Sequence, residues 1–220
     1  MRIAVAGATG MVGTRFVRAA TEAGLVVSPM AHSLGIDLFS GVGVHAALEG
    51  AEVVVDLVQS PSLREPEATH FFRRVAVILG RGAAMAGVRR SVVLSVIACD
   101  RMRHDDDAPF GLEGYYRAKF EHEVATREEA PDPHVLRSAQ LFDFVHQEIQ
   151  RGRVDDTHTR VPNLLIQPID LDETVQALLD LVTGADARSE VQVAGPQREH
   201  LVDLANEFNQ HHLDTTKVEE

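Results

Sequence analysis

The chain of 220 residues has one cysteine, Cys99, so an internal disulfide is excluded and a reducing compartment suits it. No apolar run reaches the length needed to cross a bilayer. The apolar N-terminal stretch is soon broken by glycine and does not read as a secretory leader, so a cytoplasmic location is expected. Basic residues are outnumbered, 21 Lys and Arg against 33 Asp and Glu, for a formal net charge of −12. Phosphate backbones would be repelled, which argues against nucleic acid as a partner. Neither a membrane nor a nucleic acid is therefore expected as a partner. The histidines are numerous but never spaced HxH or HxxxH, so no metal site is expected. Internal repeats and low-complexity tracts are absent as well.

What is present is ordinary for a globular protein: 45% hydrophobic and 25% charged residues, enough to build a proper core. Apolar runs alternate with helical stretches, the pattern of a parallel sheet with crossover helices. The expected strands are Ile3 to Ala6, Leu25 to Met30, Ala51 to Val58, Ser91 to Ile97 and His134 to Arg137. A further short strand is expected near Ile36. Pro29 either ends the second strand early or confines it to a place where its missing N–H is not needed, and the valine run at 53–55 marks a central strand. Helices are expected at Thr14 to Ala23, Val44 to Leu48, Glu67 to Ala86 with Gly87 as cap, Tyr115 to Ala130, and Phe142 to Gln150. After Gly152 the pieces shorten: a strand near Leu164 to Gln167, a helix from Asp170 to Val182, a strand at Glu190 to Ala194 and a helix near Leu201 to Phe208. The reading is an α/β, Rossmann-like, doubly wound parallel sheet: residues 1–150 as a dinucleotide-binding core and 151–220 as a small substrate-side lobe packed on it. The tail from Gln210, with His211 and His212, is expected to fray.

The N-terminal strand breaks into Gly7, Gly10 and Gly13 and then a helix. Glycines permit a tight turn and a close approach of backbone to a ligand. Free N–H groups and the helix dipole then point at one spot, an anion site suited to a dinucleotide pyrophosphate. The spacing is GxxGxxG rather than GxGxxG. Tyr115 and Lys119 stand four apart at the start of a helix and share a face. An ammonium beside a phenol lowers the phenol's pKa and suits it to proton transfer. Ser95 lies near the end of a strand, where open parallel sheets bind ligands. Cys99 and Tyr116 stand nearby as candidate pocket residues. Arg101, Arg103 and Asp105 to Asp107 read as a solvated loop over the pocket.

The segments VAGATGMVG at 5–13, AEVVVDLVQSPS at 51–62, VVLSVIACD at 92–100, YYRAKFEHE at 115–123, HVLRSAQLFDF at 134–144, QPIDLDETVQALL at 167–179 and VQVAGP at 191–196 occur in family order. In them the chain resembles an atypical or extended short-chain dehydrogenase/reductase, close to the NmrA-like NAD(P)H-binding group. The resemblance implies NAD(P) across the carboxyl edge of a Rossmann-like sheet. It implies Gly7, Thr9, Gly10, Met11, Val12 and Gly13 around the pyrophosphate, and Leu57, Val58 and Gln59 near the adenosine or ribose. It implies Lys119 on the nicotinamide ribose, with Ser95 and Tyr115 facing a small-molecule substrate and Phe142 a pocket aromatic. Arg137 matches the family's arginine and is expected to tie loops together. The activity implied is hydride transfer to a small carbonyl or quinone-like acceptor, with Tyr115 the proton donor. A dinucleotide-binding redox sensor without turnover, or an NAD-dependent epimerase, are the alternatives. The chain departs from the family where Ile78 stands in place of an asparagine. No acid follows the second strand in Pro29, Met30, Ala31, His32 and Ser33, which leans toward NADP, with His32 or Ser33 near the 2′-phosphate and NAD still open. The small lobe could be open or completed by a second subunit, as in a homodimer.

Overall fold

The computed structural model describes residues 1–102, 113–212 and 216–219. The chain runs β1 (Arg2–Ala6), α1 (Met11–Glu22), β2 (Val26–Met30), α2 (Val44–Leu48), β3 (Val53–Asp56), α3 (Glu67–Ala86), β4 (Arg90–Val96), α4 (Cys99–Met102), α5 (Glu113–Glu129), β5 (Pro133–Ser138) and α6 (Asp143–Arg151). It continues through β6 (His158–Arg160), β7 (Leu165–Ile166), α7 (Leu171–Thr183), β8 (Glu190–Val193), β9 (Glu199–His200), α8 (Leu201–His211) and β10 (Lys217–Glu219).

The main sheet has six parallel strands in the order β2-β1-β3-β4-β5-β8. From β1 the chain moves outward to β2, then crosses back to β3 on the other side. The order therefore reverses between β1 and β3, where doubly wound sheets open a ligand crevice. Both faces are covered, and alternation along β1 shows how. Ile3 and Val5 pack with Phe16, Leu178 and Val191, toward α1 and α7. Ala4 and Ala6 pack with Val54, Phe72, Leu79 and Ala118, toward α3 and α5. Pro29 sits in β2 at the sheet edge, and β3 is interior, both as the sequence suggests. Gly87 caps α3 in the left-handed region at φ 74°.

Several expectations need correction. No strand forms near Ile36; His32–Leu34 make a single 3-10 turn closed by Gly35 at φ 78°. The tail is not frayed throughout: Lys217–Glu219 pair in parallel with His158–Arg160, and Asn209 donates to Thr216 O at 3.1 Å. The core also reaches beyond residue 151. Helix α7 packs on α1, and β8 extends the main sheet beside β5, so residues 171–193 complete the core. The small lobe is built from α6, β6, β7, β9, α8 and β10 around Val145, Ile149, Val161, Ile166, Leu201 and Ala205. Its segments leave the sheet after the carboxyl ends of β5 and β8, so it stands on the same edge as the glycine turn after β1.

Candidate dinucleotide site

The turn after β1 has a steric reason for its glycines. Gly7 adopts φ +74°, and a Cβ there would lie 2.7 Å from Leu57 O. A Cβ on Gly13 would lie 2.0 Å from Gly7 O. The turn is thus pressed against the 57–59 segment on one side and against its own helix on the other. Gly7 N–H donates to Met30 O at 3.0 Å and Gly10 N–H to Gly7 O at 3.0 Å. The first helical bond is Thr14 N–H to Gly10 O, 2.8 Å, which leaves the amides of Met11, Val12 and Gly13 ahead of it. Gly10 is the N-cap with no side-chain cap, and no acid stands in the first turn. The helix end is electropositive and uncapped, the condition for an anion. Thr9, Gly10 and Met11 are exposed there, as are His32 and Ser33 after β2 and Gln59 after β3. Leu57 and Val58 are buried and form the wall behind them.

Gln59 connects this wall to α5: its Nε2 donates to Tyr115 Oη at 3.4 Å. The contact is long, yet it puts the phenol on the segment that abuts Gly7. Tyr115 and Tyr116 meet edge to face at 6.0 Å, and Tyr116 Oη accepts from Gln140 Nε2 at 3.3 Å. Tyr116 is buried and Phe142 is half exposed beyond β5.

The expected phenol–ammonium partnership is replaced by another arrangement. Lys119 is 3% exposed. Its Nζ donates to Leu94 O at 2.7 Å, bonds His122 Nδ1 at 3.1 Å, and lies 4.5 Å from the Phe72 ring centroid. Burial pushes Lys119 down to about 8 against the opposing pull of Asp56, Glu123 and Cys99. Tyr115 is not lowered. Burial raises its pKa, with the Gln59 contact pulling the other way. The expectation failed because a lysine stem on an inner helix face reaches the backbone of β4 and a buried histidine, which satisfy the ammonium.

Ser95 is likewise turned inward, 5% exposed, with Oγ 3.7 Å from Cys99 Sγ. Both belong to a buried cluster around Glu123. Arg137 Nε and Nη2 grip Glu123 at 2.9 and 2.8 Å, and Cys99 Sγ donates to Glu123 Oε1 at 3.1 Å. Arg137 Nη1 also reaches Glu190 at 3.0 Å and Asp100 at 3.4 Å, so it ties β5, β8, α4 and α5 together, as expected of a loop-holding arginine. Burial opposes the Glu123 charge, but Arg137 and the Ser95 and Cys99 hydrogen bonds hold its carboxyl down to about 2. Burial, reinforced by Glu123, pushes the Cys99 thiol up to about 12. Cys99 is 0% exposed and so does not line an open pocket. Ile78 lies against the 35–43 loop, its Cγ2 3.6 Å from where a Cβ on Gly41 would stand. Arg101, read as part of a loop, lies exposed in helix α4, and Arg103 and Asp105 to Asp107 lie outside the described residues. No group of His, Cys, Asp and Glu suited to a metal occurs among the described residues, and no described helix is long and apolar enough to cross a membrane.

The sequence reading missed Asp56, His122 and Glu123. Their signal was spacing: Lys119, His122 and Glu123 follow i, i+3, i+4 on one helix face. Asp56 ends a run of valines, where a charge is costly without a partner.

A six-stranded, doubly wound sheet with an uncapped glycine turn at its switch point is a Rossmann-like fold. Among solved structures, a dTDP-4-dehydrorhamnose reductase from Clostridium acetobutylicum superposes with TM-score 0.78 at 18% identity, over 100% of this chain and 83% of that one. A dTDP-4-dehydrorhamnose reductase from Bacillus anthracis in complex with NADP gives 0.77 at 15% identity, covering 99% and 84%. UDP-glucose 4-epimerase from Thermotoga maritima with UDP-glucose gives 0.75 at 16% identity, covering 100% and 85%. No protein-family model matches the sequence, and no curated protein matches it.

Proposed function

We propose that the protein is an NAD(P)H-dependent oxidoreductase that reduces a small carbonyl or quinone-like acceptor, with Tyr115 as proton donor. The observation that carries this reading is the continuity of the edge: the Gly7 turn abuts Leu57, and Gln59 two residues on reaches the Tyr115 phenol. A cradle that a single Cβ would fill, at an uncapped helix end, fits a pyrophosphate. Met11 and Val12 amides would hold it, and His32 and Ser33 would face the adenosine end. The absence of an acid directly after β2, at residues 29–33, favours NADP, while Asp37, close enough to His32 for their charges to interact, keeps NAD compatible. When bound, the nicotinamide supplies the hydride. Tyr115 then gives the proton that the reduced acceptor requires. Burial raises its pKa, so the phenol holds its proton at neutral pH and has it to give, and bound cofactor and substrate would have to bring the pKa down for rapid transfer. Solved neighbours include two described as reductases and three as sugar-nucleotide 4-epimerases, so epimerisation is the alternative reaction.

The test is acceptor-dependent oxidation of NADPH across a panel of carbonyls and quinones, with Tyr115→Phe as the control. Loss of turnover with unchanged NADPH affinity supports the role. A variant as fast as the parent refutes it. A second reading, a dinucleotide-binding redox sensor, is favoured by one observation: Lys119, the expected ribose ligand, is engaged by Leu94, His122 and Phe72. It predicts discrimination between NADPH and NADP+ in calorimetry without turnover of any acceptor.

A further inference from the structure

Lys119 is one of only two lysines in a chain whose other 19 basic side chains are arginines; the second, Lys217, stands in β10. A compact ammonium that titrates when buried is chemically distinct from a guanidinium that does not. The environment of Lys119 is correspondingly specific. Asp56, the last residue of β3, accepts the Val58 N–H at 3.1 Å with Oδ1 and faces His122 Nε2 at 2.9 Å with Oδ2. His122 is fully buried, stacked on Phe72 at 4.8 Å, and its Nδ1 meets Lys119 Nζ at 3.1 Å. An ammonium has only donors, so Nδ1 accepts; Nε2 therefore carries the proton and donates to Asp56. One line of hydrogen bonds thus runs from the wall of the candidate dinucleotide site to the lysine of α5.

We propose that Asp56, acting through His122, is the positioning residue of Lys119: the carboxylate fixes the imidazole tautomer and so fixes where the lysine ammonium is held. The bearing of this on a dinucleotide rests on the function proposed above. The groups that act on Lys119 are Asp56 from β3, His122 and Glu123 from its own helix, and Cys99 from α4. Burial drives both Lys119 and His122 toward their neutral forms, and Asp56 opposes it at each. Asp56→Asn keeps the shape and the acceptor for Val58. Its carboxamide would donate to Nε2, move the imidazole proton to Nδ1, and face the ammonium with a donor.

Two lysines make the test direct. With lysine labelled at 13Cε, the protein gives two titrating signals, and Lys217 serves as reference. The wild type is expected to show Lys119 titrating at about 8, and 15N spectra of His122 are expected to show the Nε2–H tautomer. Asp56→Asn should lower the Lys119 midpoint by about 1 unit or more and weaken NADPH binding about tenfold, the equivalent of about 1.4 kcal/mol. His122→Asn, which keeps an acceptor near the Nδ1 position, should hold the midpoint nearer the wild type than His122→Gln, which keeps only the Asp56 contact. A residue that serves packing alone would change thermal stability in all three variants and leave the midpoint in place. The proposal is overturned if wild-type Lys119 titrates near the ordinary lysine value of about 10.4, if His122 carries its proton on Nδ1, or if a folded Asp56→Asn leaves the midpoint unmoved. The first two need no variant to fold. If the wild type binds no dinucleotide while both signals behave as stated, the positioning role stands and the function proposed above falls.

Discussion

Replacing Gly13 by alanine tests the cradle at its tightest point. The new methyl would stand 2.0 Å from Gly7 O and 2.9 Å from Ala8 Cα, both backbone atoms. Relief requires the Gly7 peptide to move by more than an ångström. It cannot retreat, because Gly7 is already pressed on Leu57 O and its N–H is bonded to Met30 O at 3.0 Å. Overpacking of a core costs about 1–3 kcal/mol, and an immovable backbone neighbour puts this substitution at about 3 kcal/mol or above. In a domain of this size, about 3 kcal/mol corresponds to a Tm lower by about 6–12 °C. Gly10→Ala is the internal control: its Cβ would meet Gly7 O at 3.3 Å, a contact relieved by a few tenths of an ångström. It should cost about 1 kcal/mol or less. Scanning calorimetry of the two variants, followed by NADPH titration, checks both. If Gly13→Ala melts within 2 °C of the parent, a figure below about 1 kcal/mol here, the steric account of the turn is wrong.

Other outcomes follow from the buried charges. Glu123→Gln removes one partner of a buried ion pair and should destabilise by about 3–5 kcal/mol in urea unfolding; a loss under about 1 kcal/mol would mean that Arg137 is not held as described. The Glu123 carboxyl is depressed to about 2 in the folded protein. Its stabilisation is therefore complete above the unfolded carboxyl value of about 4.3 and drains as pH falls toward 2. Between pH 6 and 3 the wild type should lose more stability than Glu123→Gln, and equal losses would refute the assignment. Cys99, buried and raised to about 12, should resist alkylation by iodoacetamide at pH 8 until the protein is unfolded; rapid labelling of the native state would contradict its burial. Tyr115→Phe should cut turnover of a confirmed acceptor by about 100-fold or more, with little change in NADPH affinity.

Much of the fold was legible because its signals are local. The valine strand β3, the ends of α3 with its Gly87 cap, and Val44–Leu48 followed from runs and breakers that act within a few residues. The place of β8 was not legible: a four-residue strand joins the main sheet through pairing with β5, which lies 52 or more residues earlier in the chain. The same holds for β10, whose polar residues pair with β6 instead of fraying. In the site, the glycine turn could be read because steric need fixes residue type. Helix α5 was read as a helix, but which of its faces is buried was not legible, because the inner face carries Lys119, His122 and Glu123, and polar residues on a buried stripe erase the hydropathy pattern. Spacing put Tyr115 and Lys119 on one face, but which atom an ammonium chooses depends on Leu94 O and His122, supplied by the tertiary fold.

The proposed function requires one crevice shared by the glycine turn and the Tyr115 phenol. A crystal structure with NADPH bound measures this directly. The pyrophosphate should lie on the amides of Met11 and Val12, with the nicotinamide ring beside Tyr115 Oη. A nicotinamide remote from that hydroxyl, or crystals soaked at saturating NADPH that show no dinucleotide on the Gly7–Gly13 turn, would contradict it.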